Sequence, residues 1–219
     1  FVLMDVAGQR QEALDIASKV QERFRRRVPK LFLAEPLNQS EALTQLAIEL
    51  NRTLLDAAGG VRCAPAFLGC FQETLGTLFY INAGHTPALL KDDGITQLEA
   101  NGLPLGLFYH ATHDAQMCVL PPGAIFLLAS KGLVEARAGR EEFGLERVKQ
   151  CLSASSARSA QELCQCVLDS ARQFIEEGQR ARFFRIGNFY GNENSDEFEA
   201  PNDLTTVALV RLAAAKGAA

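Results

Sequence analysis

The chain opens on a short apolar run, 1–4, that delivers Asp5 to a turn at Gly8. Apolar residues then recur at Ala13, Ala17, Val20 and Phe24, the spacing of one face of a helix. A second helix is predicted from Asn38, with Glu41 three residues on as in a capping box. It runs through Leu43, Leu46, Ala47, Leu50 and Leu54 to a stop at Gly59-Gly60. From Ala66 the pattern changes to short apolar runs between turn residues, predicting strands over 67–71, 78–81, 88–90, 95–98, 117–120 and 125–129. Asp92-Asp93-Gly94 predicts a hairpin turn and Pro121-Pro122-Gly123 a second turn. Helical spacing returns at Leu145, Val148 and Leu152, and again from Leu163 through Val167, Leu168, Ala171 and Phe174 to Ile175. The stretch 180–201, rich in Gly, Asn and acidic residues, reads as a long surface loop before a closing strand over 205–212.

Helices before, after and between strands, with no regular strand-helix alternation, predict an α+β layered domain and not a doubly wound sheet. At 219 residues the chain suits one domain, 1–212, with a tail at 213–219. It lacks an initiator Met and opens inside a strand, so it reads as part of a longer protein. A net charge of -4 offers nucleic acid no whole-domain basic field, and no apolar run has the length to insert into a membrane. Arg25-Arg26-Arg27 is the dense basic run; it reads as cations at a helix C-terminus, with partner docking as the sharper alternative. Six cysteines include no Cys-x-x-Cys pair and no His at ligand spacing, which argues against zinc and for buried thiols in a reducing cytoplasm. Cys164 and Cys166 face differently on a helix and make no vicinal redox pair.

Five blocks in order carry a family resemblance over nearly the whole chain. They are Met4-Asp5-Val6-Ala7-Gly8, Asn51-Arg52, Asn82-Ala83-Gly84-His85-Thr86-Pro87, Leu103-Pro104-Leu105-Gly106, and the run from Ser130-Lys131-Gly132 through Phe143-Gly144 to Asn202-Asp203-Leu204-Thr205. Together they resemble the SpoIIE/RsbU branch of the PPM (type 2C) metal-dependent serine/threonine phosphatases. The resemblance implies a four-layer α-β-β-α sandwich of two stacked, mostly antiparallel sheets flanked by helices, here lacking the first strand or strands. It also implies active relatives that use Mg²⁺ or Mn²⁺ to dephosphorylate regulatory signalling proteins, commonly of the anti-sigma-factor-antagonist type.

The resembling metal site is degenerate in this chain. Asp5 is similar to the family's bridging Asp, and Gly8 to the glycine beside it. The next family positions are usually His and Gly, where this chain has Gln9 and Arg10. Lys131 stands where the family's Thr-Asp-Gly carries a second metal Asp, removing a ligand and placing an ammonium beside the cation. Asn202 replaces a third carboxylate. Asp203 is a substitute only if the backbone is bulged, since neighbours in an extended segment face apart. The expected outcome is a pseudophosphatase that binds no metal and acts through protein binding. The alternative is an active Mg²⁺- or Mn²⁺-dependent enzyme with a weakened site.

With the metal gone, an isolated Asp5 is costly, so a salt bridge between Asp5 and Lys131 is expected. The 126–137 segment reads as a buried strand ending in a sharp turn at Gly132. His85, tempting as a general base, is assigned a structural role by its block. His110 and His113 read as a solvated loop. A Ser130–Lys131 nucleophile pair is disfavoured because adjacent strand residues face apart. A sheet lacking a strand has an open edge, which predicts a homodimer.

Overall fold

The computed structural model describes residues 1–8, 10–33, 35–58, 63–155, 159–186 and 203–212. The elements are β1 (Val2–Met4), α1 (Arg10–Phe32), α2 (Gln39–Ala58), β2 (Ala66–Gln72), β3 (Thr77–Ala83), β4 (Ala88–Lys91), β5 (Ile95–Leu98) and β6 (Gln116–Val119). They continue as β7 (Ile125–Ala129), α3 (Lys131–Val134), β8 (Arg137–Ala138), β9 (Glu141–Glu142), α4 (Gly144–Ala154), α5 (Ala160–Ile186) and β10 (Thr206–Val210). One sheet has the order β1-β2-β3-β6, the other β10-β7-β4-β5, and every pairing is antiparallel.

The central strands β2 and β7 carry apolar residues on both faces because both faces are covered. In β2, Phe67 enters the core between the sheets while Leu68 faces the core under α1 and α2. In β7, Phe126 and Leu128 face the inter-sheet core, and Leu127 and Ala129 face α4 and α5. This two-residue alternation produces three core layers and hence four structural layers, the expected α-β-β-α sandwich. Phe67 and Phe126 meet between the sheets with ring centroids 5.6 Å apart.

The chain crosses from one sheet to the other at two turns that matter below. Residues 84–87 join β3 to β4, and Pro121-Pro122-Gly123 joins β6 to β7, closed by the Ala124 N–H donating to the Pro121 carbonyl at 2.9 Å. Gly84 has φ +69, and a Cβ there would lie 2.7 Å from Pro104 Cγ, so the position excludes a side chain on two grounds. The predicted Asp92-Asp93-Gly94 turn joins β4 and β5.

Several expectations are corrected. Arg25-Arg26-Arg27 does not cap a helix; α1 continues to Phe32, and Arg27 turns inward to Glu49. The first part of the expected 180–201 loop is helical, because α5 runs on to Ile186; residues 187–202 lie outside the described residues, as do Gly59-Gly60 and 213–219. Gly132 is not a sharp turn but lies inside the single helical turn α3. The β8–β9 hairpin was not legible at two residues a strand. His113 is not solvated: it is 1% exposed, its Nε2 lies 2.9 Å from the Leu103 carbonyl, and its ring packs where Gly102 leaves space. His110 is exposed, as expected. The cysteines are free thiols, but five are only partly buried and Cys166 is exposed; burial pushes Cys118 up to about 11. No helix among the described residues is long and apolar enough to cross a membrane.

Candidate functional site

Asp5 lies just beyond β1, where the chain leaves the first sheet, and its N–H donates to the Pro65 carbonyl at 2.9 Å. Gly8 follows at φ +133, a conformation that a side chain strains, so the turn into α1 requires glycine there. The Asp5 side chain is 27% exposed and points toward two other chain crossings. Its Oδ2 accepts the backbone N–H of Lys131 at 2.9 Å, from the start of α3, and lies 3.2 Å from Nε2 of His85, in the β3–β4 crossing. The His85 contact has ion-pair distance but is off the line of a well-directed hydrogen bond. Burial works against the carboxylate; the His85 ring, the Lys131 N–H and their charges outweigh it and hold Asp5 below its ordinary range.

The orientation of His85 is set from its other side. Thr86 Oγ1 donates to the Ala129 carbonyl at 2.5 Å and lies 3.0 Å from His85 Nδ1. With the hydroxyl proton committed to the carbonyl, Nδ1 is the donor to Oγ1, so a proton on Nε2, the nitrogen turned to Asp5, makes the ring an imidazolium, the form in which it is a positive partner for the carboxylate. Asn82 fixes the backbone of the same turn: its Oδ1 accepts the His85 N–H at 2.8 Å and its Nδ2 reaches the Leu98 carbonyl at 3.2 Å. The Asn-Ala-Gly-His-Thr-Pro block thus does more than shape a turn. It also carries a fully buried imidazole to Asp5.

The expected Asp5–Lys131 salt bridge is corrected. Lys131 contributes its backbone N–H, while its ammonium pairs with Glu135 at 3.5 Å on the surface, with both side chains about half exposed. The reason is helical geometry, because α3 aims Lys131 one turn along its own axis to residue 135. Ser130 caps this turn: its Oγ accepts from Leu133 N at 3.3 Å and Thr205 N at 3.1 Å and donates to the Asp203 carbonyl at 3.2 Å. Ser130 is therefore occupied as a structural hub. Its position before a helical turn was the signal in the sequence, obscured because the segment reads as strand.

Asp203 is drawn to this corner by its carbonyl, and the residue is exposed. Gln9 and Asn202 lie outside the described residues, as does the Arg10 side chain. Among the described residues, no group of three or more His, Cys, Asp or Glu side chains is placed to hold a metal ion. A two-metal centre needs several converging oxygen donors. Among the described residues, a single carboxylate, already bonded by protein N–H and facing an imidazole, meets an ammonium-bearing turn. These residues do not fit that centre.

The described family blocks away from Asp5 build its support. Asn51 on α2 is 1% exposed; its Oδ1 accepts the Gly106 N–H at 2.7 Å and its Nδ2 donates to the Phe108 carbonyl at 2.9 Å. That pins the Leu-Pro-Leu-Gly loop, whose Pro104 packs on Gly84.

Comparison with known proteins agrees with the fold. The family model described as Stage II sporulation protein E (SpoIIE) matches residues 1–181. Protein IcfG of Synechocystis is 27% identical over 151 residues, 68% of this chain and 20% of IcfG. Among solved structures, the RsbU and RsbW domains of Rv1364c from Mycobacterium tuberculosis superpose with a TM-score of 0.68 at 24% identity, covering 97% of this chain and 52% of that one. The SiaA-PP2C domain of Pseudomonas aeruginosa gives 0.64 at 16% identity, covering 95% and 74%. This chain thus spans a fifth of IcfG and about half of the Rv1364c chain.

Proposed function

From the premise that the chain belongs to the SpoIIE family, with the fold of PP2C-type phosphatase domains of signalling proteins, we propose that this domain has exchanged metal-dependent hydrolysis for protein binding. The observation that carries the reading is the state of Asp5. The carboxylate accepts the Lys131 N–H and faces buried His85, so protein groups supply the positive partners that a metal would otherwise supply. In family relatives the metals activate water and clamp phosphoryl oxygens. In this chain Asp5, His85 and Lys131 N–H instead tie together the ends of three segments. The partner in this reading is a phosphorylated or regulatory signalling protein, of the anti-sigma-factor-antagonist type by kinship, in the cytoplasm.

One observation favours the second reading, an active Mg²⁺- or Mn²⁺-dependent phosphoserine/phosphothreonine phosphatase. The Asp5–Gly8 turn is intact, and Ser130 draws the Asp203 backbone to the same corner. Calorimetric titration of Mn²⁺ and Mg²⁺, followed by hydrolysis of a phosphopeptide in the same samples, separates the two. No binding and no turnover is expected. Micromolar binding with turnover that Asp5→Ala abolishes would overturn the pseudophosphatase reading.

A further inference from the structure

Charge is segregated in this protein. The chain carries a net charge of -4, yet α1 holds seven Lys and Arg against three Asp and Glu. Three of those cations, Lys19, Arg23 and Arg26, stand at helical spacing along one stripe. Together with Thr53, Asp56 and Ala57 of α2 they line a groove of about 310 Å³ on the outer helical layer. Two carboxylates share the groove, and both have partners. Glu22 lies 3.7 Å from Arg26, and Asp56 accepts from the Tyr109 hydroxyl at 3.2 Å. Among the described residues, Lys19 and Arg23 form no ion pair, although the Arg23 charge also acts on Glu49, and with three cations against two carboxylates the groove lining keeps a small excess of positive charge.

The Tyr109 contact places an apolar knob at the side of this groove. Phe108 and Tyr109 are 57% and 56% exposed; the Phe108 backbone is held by Asn51 at its carbonyl, and the Tyr109 ring by Asp56 at its hydroxyl. Exposed aromatics fixed to a scaffold cost little further ordering on binding and are the side chains that anchor interfaces. Lys19 to Arg26 spans about 10 Å of helix, two turns. The two features sit side by side, cations along α1 and aromatic rings beside α2.

We propose that the α1–α2 groove and the Phe108–Tyr109 knob form a docking surface for an acidic segment of a partner protein that also presents an aromatic or leucine side chain. A peptide matches this pattern: its carboxylates reach Lys19 and Arg23, it avoids Glu22 and Asp56, and its apolar side chain covers the rings. A uniformly anionic polymer or lipid surface meets the two carboxylates and the net negative remainder of the chain. The proposal names the partner chemistry for the protein-binding function and rests on that reading only for its use. The surface is separate from Asp5, so metal titration and peptide binding fail independently.

The test is fluorescence anisotropy with a labelled eighteen-residue amphipathic peptide bearing Glu on one face and Leu and Phe on the other. The wild type is expected to bind, with affinity falling as salt is raised. Arg23→Glu with Arg26→Glu should weaken binding at least tenfold, and Phe108→Ala with Tyr109→Ser at least threefold. A polyglutamate peptide should be insensitive to the second pair. All four positions are exposed, and unchanged melting temperatures verify the folds. Absence of binding, equal binding by the charge-reversed protein, or tighter binding to RNA or phosphatidylserine vesicles than to the peptide would overturn the proposal.

Discussion

Asp5 is held by groups that are remote in sequence, 126 residues away for Lys131 and 80 for His85. Its carboxyl titrates below the ordinary value, so its contribution to stability is complete above the ordinary carboxylate range and is lost as pH falls through the folded value. Asp5→Asn is therefore expected to flatten the acid limb of stability: urea unfolding between pH 7 and about pH 3 should show a smaller loss in the variant than in the wild type. Equal losses would sink the assignment. His85→Ala should cost about 1–3 kcal/mol by stripping a partner from a largely buried charge. A double-mutant cycle with Asp5→Asn should give a coupling of about 0.5–3 kcal/mol.

At the scale of elements, the junctions carry more information than the strands. Asn51 joins α2 to the loop over 103–109 through two hydrogen bonds, one satisfying the buried Gly106 N–H. Asn51→Ala leaves that donor unpaired and should cost about 1–3 kcal/mol. Limited proteolysis should then cut within 103–109 sooner than in the wild type. Unchanged cleavage would mean that packing of Leu105, which is fully buried, suffices to hold the loop. The same block was legible as a motif, but its work was not, because a side chain reaching across 55 residues leaves no local periodicity.

For the whole molecule, the inter-sheet core is the feature on which the layers depend. Phe126 is fully buried and meets Phe67 from the opposite sheet. Phe126→Ala should lower stability by about 3–5 kcal/mol, read as a shifted urea midpoint with an unchanged slope. At the edge, among the described residues β1 is paired to β2 alone, and an open strand edge is a template for another chain. A dimer is expected at tens of micromolar in sedimentation velocity, and a clean monomer would refute it.

The sequence by itself determined the layered α+β class, the order of most elements and the turns at Asp92-Asp93-Gly94 and Pro121-Pro122-Gly123, because apolar periodicity and turn chemistry act over a few residues. It also placed Asp5 and Lys131 at one corner through their motifs. Which atoms meet there was a tertiary decision. Lys131 offers its N–H and sends its ammonium to Glu135, His113 is buried against Gly102, and the neighbours Arg26 and Arg27 part, one to a groove and one to an inward pair with Glu49. Each of these outcomes depends on where a helix starts or ends and on which distant backbone leaves space. Such facts arise when the layers pack, and spacing along the chain does not encode them.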